Sequence, residues 1–160
     1  MVKQVNKRIL LILLIFFSLI LVSAFLIEYK LGHQPCKLCI YQRIPYFLAI
    51  LLIVKIFFIK KYEKITLLIL FFIFIGSTAL AFYHFGIEQG FFSESLACST
   101  DEQLKSLSKE ELLEQLKQNS ISCKDVSFRI FGLSLAAINS IFSLLLSVIF
   151  IKIFLSYGKN

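Results

Sequence analysis

The segment Ile9–Ile27, ILLILLIFFSLILVSAFLI, sets the architecture of this chain, because only Ser18 and Ser23 interrupt its apolar side chains. In an α-helix of about 1.5 Å rise per residue it extends for roughly 28 Å, close to the ~30 Å hydrocarbon core of a bilayer. Val22-Ser23-Ala24 is similar to the cleavage site of a signal peptide. The apolar run continues past that site, which favours a retained membrane span.

Three more apolar runs follow, so the predicted spans cover residues 9–27, 40–59, 65–83 and 130–155. The 160 residues are 58% hydrophobic, with a mean hydropathy of +0.84. A soluble domain of this length would need more polar surface. The sequence therefore predicts an all-α membrane protein: one domain, residues 1–160, folded as a bundle of four transmembrane helices.

The formal net charge of +7 does not indicate a nucleic-acid-binding protein, because the basic residues flank the apolar runs. Short basic segments beside spans are typical of the cytoplasmic side. Both termini and the 60–64 turn are therefore predicted to be cytoplasmic, and loops 28–39 and 84–129 extracytoplasmic. The flanking residues are Lys3, Lys7, Arg8, Lys60, Lys61, Lys64, Lys152 and Lys159.

The long second loop, residues 84–129, contains a pattern typical of a short amphipathic helix. Ser108-Lys-Glu-Glu111 reads as a capping box, and Leu112, Leu113 and Leu116 follow on one helical face. This helix could cover a site or only pack the loop against the membrane. In the last span, Asn139 is the one strongly polar residue, and we expect it to bond a neighbouring helix.

A Cys-x-x-Cys motif, Cys36 and Cys39, stands where a polar loop meets the second apolar run. At the start of a helix the two sulfurs would share one turn, close enough to form a disulfide. Arg43, four residues beyond Cys39, would favour a thiolate on the same helix face. The motif alone is also typical of zinc sites and of thioredoxin-like domains.

A second cysteine pair, Cys98 and Cys123, lies in the long loop on the same predicted side of the membrane. Thiol–disulfide exchange passes two electrons between pairs that can meet, so the two pairs suggest a relay. A quinone fits as the acceptor, since it is soluble in the membrane and takes two electrons. Arg43 would stabilise negative charge developing on its oxygen.

The whole chain resembles the DsbB family, the disulfide bond formation protein B of bacterial inner membranes. The likeness rests on four spans, the Cys-x-x-Cys followed by arginine, and the loop cysteine pair. The segments Cys39-Ile-Tyr-Gln-Arg43, Tyr83-His84-Phe-Gly86-Ile-Glu88 and Phe131-Gly-Leu-Ser134 are similar to family signatures. Gln42 stands where some relatives would have an acid.

The resemblance implies a membrane thiol:quinone oxidoreductase that reoxidises a DsbA-like periplasmic thioredoxin-fold protein and so supports disulfide formation in exported proteins. Electrons would pass from the partner to Cys98–Cys123, then to Cys36–Cys39, and on to ubiquinone or menaquinone. Arg43 and, as one of two readings, His84 would bind the quinone; in the other reading His84 is a helix-end residue at the lipid interface. Since loops 28–39 and 84–129 are both predicted to be extracytoplasmic, we expect all four cysteines to face the periplasm, and we expect no metal site.

Three alternatives stay open at this point. A quinone reductase of the vitamin K epoxide reductase type also combines a Cys-x-x-Cys with a loop pair, but in that family the loop cysteines come first. A non-enzymatic four-span protein could bind metal through Cys36, Cys39 and His33 or His84. Two structural disulfides could simply hold the bundle together, and reduction potentials below about −300 mV would identify them.

Overall fold

The computed structural model describes residues 6–93, 123–124, 129–130 and 132–157. Within them the chain forms five α-helices, one 3-10 turn and one small antiparallel ladder. The elements are α1 (Lys7–Tyr29), α2 (Lys37–Tyr41), α3 (Ile44–Phe58), the 3-10 turn (Lys60–Tyr62), α4 (Glu63–Glu88), β1 (Arg129–Ile130), β2 (Leu133–Ser134) and α5 (Leu135–Ser156).

Four segments are long and apolar enough to cross a membrane: α1, α2 with α3, α4, and α5. Between 22% and 33% of the most apolar window of each is buried inside the protein. The remaining apolar surface needs lipid around it, because water would not solvate it favourably. The predicted class, an all-α four-helix membrane bundle, is confirmed, and the amphipathic segment after Ser108 lies outside the described residues.

The bundle centre is a cluster of aromatic rings, one from each span. Phe74 of α4 stacks on Phe17 of α1 and on Phe150 of α5, with ring centroids 5.4 and 5.5 Å apart. The ring of Tyr46 from α3 meets Phe74 edge-on at 5.8 Å. All three phenylalanines are fully buried. Such ring pairs add to the packing energy that holds helices together where lipid removes the hydrophobic driving force.

The second span is not one continuous helix. It breaks at Gln42 and Arg43, between α2 and α3. Pro45 is the second residue of α3, where its missing N–H costs little. A helix running through this point would set the proline ring against the carbonyl of Tyr41, so the chain turns instead. The break holds the Cys-x-x-Cys on its own short helix.

The third span extends beyond its predicted end at residue 83, as far as Glu88. The helix stops where Gly90 takes a φ of +78°, a conformation that glycine adopts without steric cost. The N–H of Phe91 then donates to the carbonyl of Gly86 over 2.8 Å. As a result His84 and Glu88 are helical residues that point into the bundle, whereas the sequence placed them in the loop.

The fourth span begins later than predicted, at residue 135. Residues 130 and 133 instead pair in the two-rung ladder of β1 and β2, around Gly132 at φ +82°. Ser134 ends the ladder and caps α5, since its Oγ accepts a hydrogen bond from the N–H of Ala137 at 3.2 Å. Helix α5 packs along α4, α1 along α3, and α3 against α4.

Candidate active site

The two cysteines of the Cys-x-x-Cys lie together at the start of α2. Cys36 is the N-cap of this helix and Cys39 is its third residue. Their Sγ atoms are 2.8 Å apart, and the Cys39 N–H donates to Cys36 Sγ at 3.3 Å. Both thiols are free. A small rotation about the side-chain bonds would bring the sulfurs to bonding distance, so the pair can cycle between dithiol and disulfide.

The ring of His84, from α4, lies directly beside this pair. Its Nε2 is 3.5 Å from Cys36 Sγ, and its Nδ1 is 2.9 Å from Nε2 of Gln42. The residue is only 2% exposed, so the alternative of a histidine at the lipid interface does not describe its position. The extension of α4 past residue 83 is what carries His84 to the thiols.

The surroundings of Cys36 favour its thiolate. The hydrogen bond from the Cys39 thiol, followed by the hydrogen bond from His84, lowers the pKa of Cys36 to about 4, although burial opposes the shift. An ordinary thiol would be protonated at pH 7, whereas Cys36 is ionised there. A buried thiolate of this kind is suited to thiol–disulfide exchange.

Cys123, from the long loop, is buried against the same group of residues. It is 1% exposed and forms an apolar cluster with Cys36, Leu38 and Ile87. It is disulfide-bonded. Cys98 lies outside the described residues, so its predicted pairing with Cys123 stays a prediction. The packing brings one member of the second pair next to the first.

Arg43 follows α2 and contacts α1. Its Nη1 donates to Oε2 of Glu28 at 2.6 Å, and its guanidinium lies 5.1 Å from the centre of the Phe25 ring. The sequence placed this charge next to Cys39, but the structure shows that a carboxylate of α1 holds it. Both side chains of the ion pair are largely buried, which makes the pairing stronger than at an exposed site.

A cavity of about 360 Å³ connects these groups. The volume falls within the usual range for small-molecule pockets. Its walls are mostly apolar side chains of α1 and α5, including Phe16, Ile20 and Phe142, and its polar atoms are few. The polar lining comes from Ser23, His33, Gln34, Cys36, Cys39, Gln42, Arg43, Tyr46, His84, Glu88 and Asn139.

The comparison with protein families agrees with this geometry. The family model described as "Disulfide bond formation protein DsbB" matches residues 6–153. The chain belongs to the DsbB family. It is also 29% identical, over 99% of its own length and 94% of the other's, to RP370, an uncharacterized protein of Rickettsia prowazekii strain Madrid E. Membership makes this chain a multi-pass membrane protein with a thiol oxidoreductase role in disulfide formation.

Among the described residues of this DsbB-family protein, the dithiol and His84 form the one group of side chains that could hold a metal ion. Sγ of Cys36, Sγ of Cys39 and Nε2 of His84 all lie within 4.8 Å of one another. Zinc bound tetrahedrally at about 2.3 Å from each sulfur would hold the sulfurs nearly 4 Å apart. The observed 2.8 Å is shorter, so the pair is arranged for a bond between its own sulfurs.

Sequence reasoning missed several residues of this DsbB-family site. Glu28 was not connected to Arg43, and Gln42 and Asn139 were not connected to each other. Glu88 also lines the cavity, and its Oε2 is buried with no hydrogen-bond partner among the described residues. The available signal was a polar residue in or beside an apolar span, which is costly unless it has a partner or a function.

Proposed function

We propose that this protein is a thiol:quinone oxidoreductase that reoxidises a DsbA-like periplasmic thioredoxin-fold protein. The observation that carries the proposal is the position of the dithiol. Cys36 and Cys39 line an apolar cavity that Arg43 and His84 also line, and Cys123 belongs to the same buried cluster as Cys36. One pair of sulfurs therefore borders both a site for a small apolar acceptor and a second disulfide.

The proposed exchange begins at the loop pair. A thiolate of the reduced partner attacks Cys98, forms a mixed disulfide and releases Cys123 as a thiolate. Cys123 then attacks Cys36, breaks the Cys36–Cys39 disulfide and releases the Cys39 thiolate. The partner's second thiolate resolves its own mixed disulfide and frees Cys98, which displaces Cys36 from Cys123. The partner and the loop pair end oxidised, and Cys36 and Cys39 hold two electrons.

A quinone fits the cavity beside that dithiol. Apolar walls suit the ring and its substituents, Arg43 supplies hydrogen-bond donors for a ring oxygen, and His84 lines the cavity beside the dithiol. When bound, quinone accepts two electrons and two protons and leaves as quinol. Cys36 and Cys39 supply the electrons and re-form their disulfide. The buried site excludes water, and Arg43 stabilises negative charge developing at the ring oxygen.

The charge pattern supports the orientation that this reaction needs. Basic tails and a basic turn at 60–64 favour a cytoplasmic location for both termini and a periplasmic location for all four cysteines in a bacterial inner membrane. In a variant without native cysteines, Leu31→Cys should react with a membrane-impermeant maleimide in intact spheroplasts. Lys61→Cys should react only after the membrane is opened, and the opposite pattern would overturn the orientation.

Quinone reduction by the purified, detergent-solubilised protein tests the activity. A reduced DsbA-like protein is the electron donor, and ubiquinone and menaquinone are offered separately. We expect turnover in the wild type and none in Cys39→Ser or Cys98→Ser. A mixed disulfide trapped at Cys98 in Cys123→Ser would establish the order of steps. A folded protein that reduces neither quinone would overturn the proposal.

A second function is favoured by one observation, the three potential metal ligands within 4.8 Å. A metal-binding membrane protein would take up zinc stoichiometrically through Cys36, Cys39 and His84 and would keep it under mild oxidation. The redox proposal predicts that oxidation to the disulfide abolishes zinc binding. Equilibrium dialysis of the oxidised and reduced protein against zinc distinguishes the two functions, with His84→Ala as the ligand control.

A further inference from the structure

A line of buried and half-buried polar side chains runs through the bundle and ends at the dithiol. Asn139 of α5 is its centre: Oδ1 accepts a hydrogen bond from the hydroxyl of Tyr46, and Nδ2 donates to Oε1 of Gln42 at 2.8 Å. Nε2 of Gln42 lies 2.9 Å from Nδ1 of His84, and Nε2 of His84 is 3.5 Å from Cys36 Sγ. Four helices contribute to this line, α2, α3, α4 and α5 with the residues that cap them.

At the end of the line away from the dithiol, the polar side chains also have hydrogen-bond partners. The Ser143 hydroxyl lies 3.4 Å from Oδ1 of Asn139, 3.5 Å from the Tyr46 hydroxyl and 3.0 Å from the Ser77 hydroxyl. Polar groups inside a bilayer are costly unless they are satisfied, and each of these groups has a partner. The line ends at Cys36 of the dithiol, which suggests a role for it there.

The chemistry of the two amides determines where His84 carries its proton. Asn139 donates to the oxygen of Gln42, so the Gln42 amide turns its NH₂ group toward Nδ1 of His84. An amide NH₂ can only donate, and Nδ1 must therefore be the unprotonated nitrogen of a neutral ring. The ring proton then resides on Nε2, which faces Cys36.

Other groups face the ring as well. On α4, Oε1 of Glu88 is 3.7 Å from Nε2 of His84, and the Cys123 backbone from the long loop contacts the ring. Cys39 lies on α2, and Arg43, which lines the same cavity, is held by α1. The carboxylate and thiolate lie on the Nε2 side and accept hydrogen bonds, so they favour a proton on that nitrogen. The two amides and the two acidic groups therefore favour the same tautomer.

We propose that Gln42 and Asn139 are positioning residues that hold His84 as its Nε2–H tautomer, so that it donates a hydrogen bond to the Cys36 thiolate without giving up the proton. The arrangement follows the logic of a cysteine–histidine–amide triad, in which an amide orients the ring beside a reactive sulfur. The inference rests on the proposed function only in assigning Cys36 as the reacting thiol. Reversing both amides would put the ring proton on Nδ1 and remove the donor from Cys36.

Nitrogen-15 NMR of histidine-labelled, reduced protein in detergent tests the tautomer without partner or quinone. The chain has two histidines, and His33→Ala assigns the spectrum. We expect the Nδ1 resonance of His84 in the unprotonated range and its Nε2 resonance in the protonated range. A protonated Nδ1, or a signal averaged equally over both nitrogens as in free imidazole, would overturn the proposal. A failure of the proposed function would leave this spectrum unchanged.

Two substitutions separate positioning from simple packing. Gln42→Leu and Asn139→Leu should each release the ring, giving averaged nitrogen signals and an upward shift of the Cys36 thiolate midpoint of about one pH unit, or about tenfold in thiolate concentration below that midpoint. Ser147→Ala is the matched control, because among the described residues this buried hydroxyl of α5 bonds only to the carbonyl of Leu144. Wild-type spectra and midpoints in both leucine variants would show that the line is structural only, and would overturn the proposal.

Discussion

The hydrogen bond from Cys39 is the largest cause of the lowered pKa of Cys36, so replacing its donor group is the most direct test of the site. In a variant without Cys98 and Cys123, Cys39→Ser keeps a hydroxyl donor and Cys39→Ala removes it. A hydrogen bond to a charged group contributes about 1.5–3 kcal/mol, or roughly one to two pH units of midpoint. We therefore expect a Cys36 midpoint near the wild-type pKa of about 4 in the serine variant and about 5–6 in the alanine variant.

The assay must follow the shape of the pH profile. At pH 7 a thiol with a pKa of about 4 is almost fully ionised, whereas one at the ordinary 9.0 is about 1% ionised. Thiolate nucleophilicity falls with pKa with a Brønsted slope of about 0.4–0.5, which over five units costs roughly 100- to 300-fold in rate. The two effects nearly cancel, so the alkylation rate at pH 7 alone would not distinguish the thiols.

Thiolate ultraviolet absorption gives the midpoint of a buried sulfur without requiring reagent access, and alkylation followed by mass spectrometry checks the residue. A plateau from about pH 7 to 8 in both variants is the expected result, because both midpoints lie at least about one pH unit below that range. The reasoning is refuted if the serine and alanine variants share one midpoint. It is also refuted if the signal rises tenfold per pH unit through pH 7–8, as for an ordinary thiol.

Three further predictions follow. Phe74→Ala should lower the free energy of unfolding in mixed micelles by about 3 kcal/mol, because the ring is fully buried, whereas Phe72→Ala, 62% exposed toward lipid, should change it little; equal effects would contradict the packing. Glu28→Gln should lower the free energy of unfolding by about 1 kcal/mol, because it removes the ion pair with Arg43. A double-mutant cycle with Arg43→Gln should show that the two effects are coupled, and additive effects would contradict the pairing. The lowered pKa of Cys36 stabilises the reduced protein fully above pH 9, and this stabilisation is lost as the pH falls through about 4. The unfolding temperature should therefore fall with decreasing pH over this range in the reduced protein and not in the oxidised protein.

The four spans could be read from the apolar runs because burial in lipid depends on length and composition, which are local properties. The ends of the spans could not. Helix α4, the third span, continues to Glu88 and stops before Gly90, although the hydropathy falls earlier. The second span breaks before Pro45, and the pattern of apolar residues alone shows no break there. Helix ends depend on caps and turns, which hydropathy does not record.

The proximity of Cys36 and Cys39 could also be predicted from the sequence, because Cys-x-x-Cys at a helix start places two sulfurs on one turn whatever the rest of the fold does. Asn139 was correctly expected to bond another helix, and its partners are Gln42 and Tyr46. The choice of partner could not be predicted, since these residues are more than 90 positions apart and meet only through the rotation and depth of packed helices.

Local chemistry thus decided that this chain crosses a membrane four times and carries a pair of thiols at one end of a helix. Only the tertiary structure decided which side chains surround those thiols and how readily they ionise. His84 from α4 reaches Cys36, Gln42 and Asn139 orient the ring, and Cys123 packs alongside. Ionisation of a thiol depends on its hydrogen bonds and burial, and both are supplied by residues that the fold brings together from distant parts of the sequence.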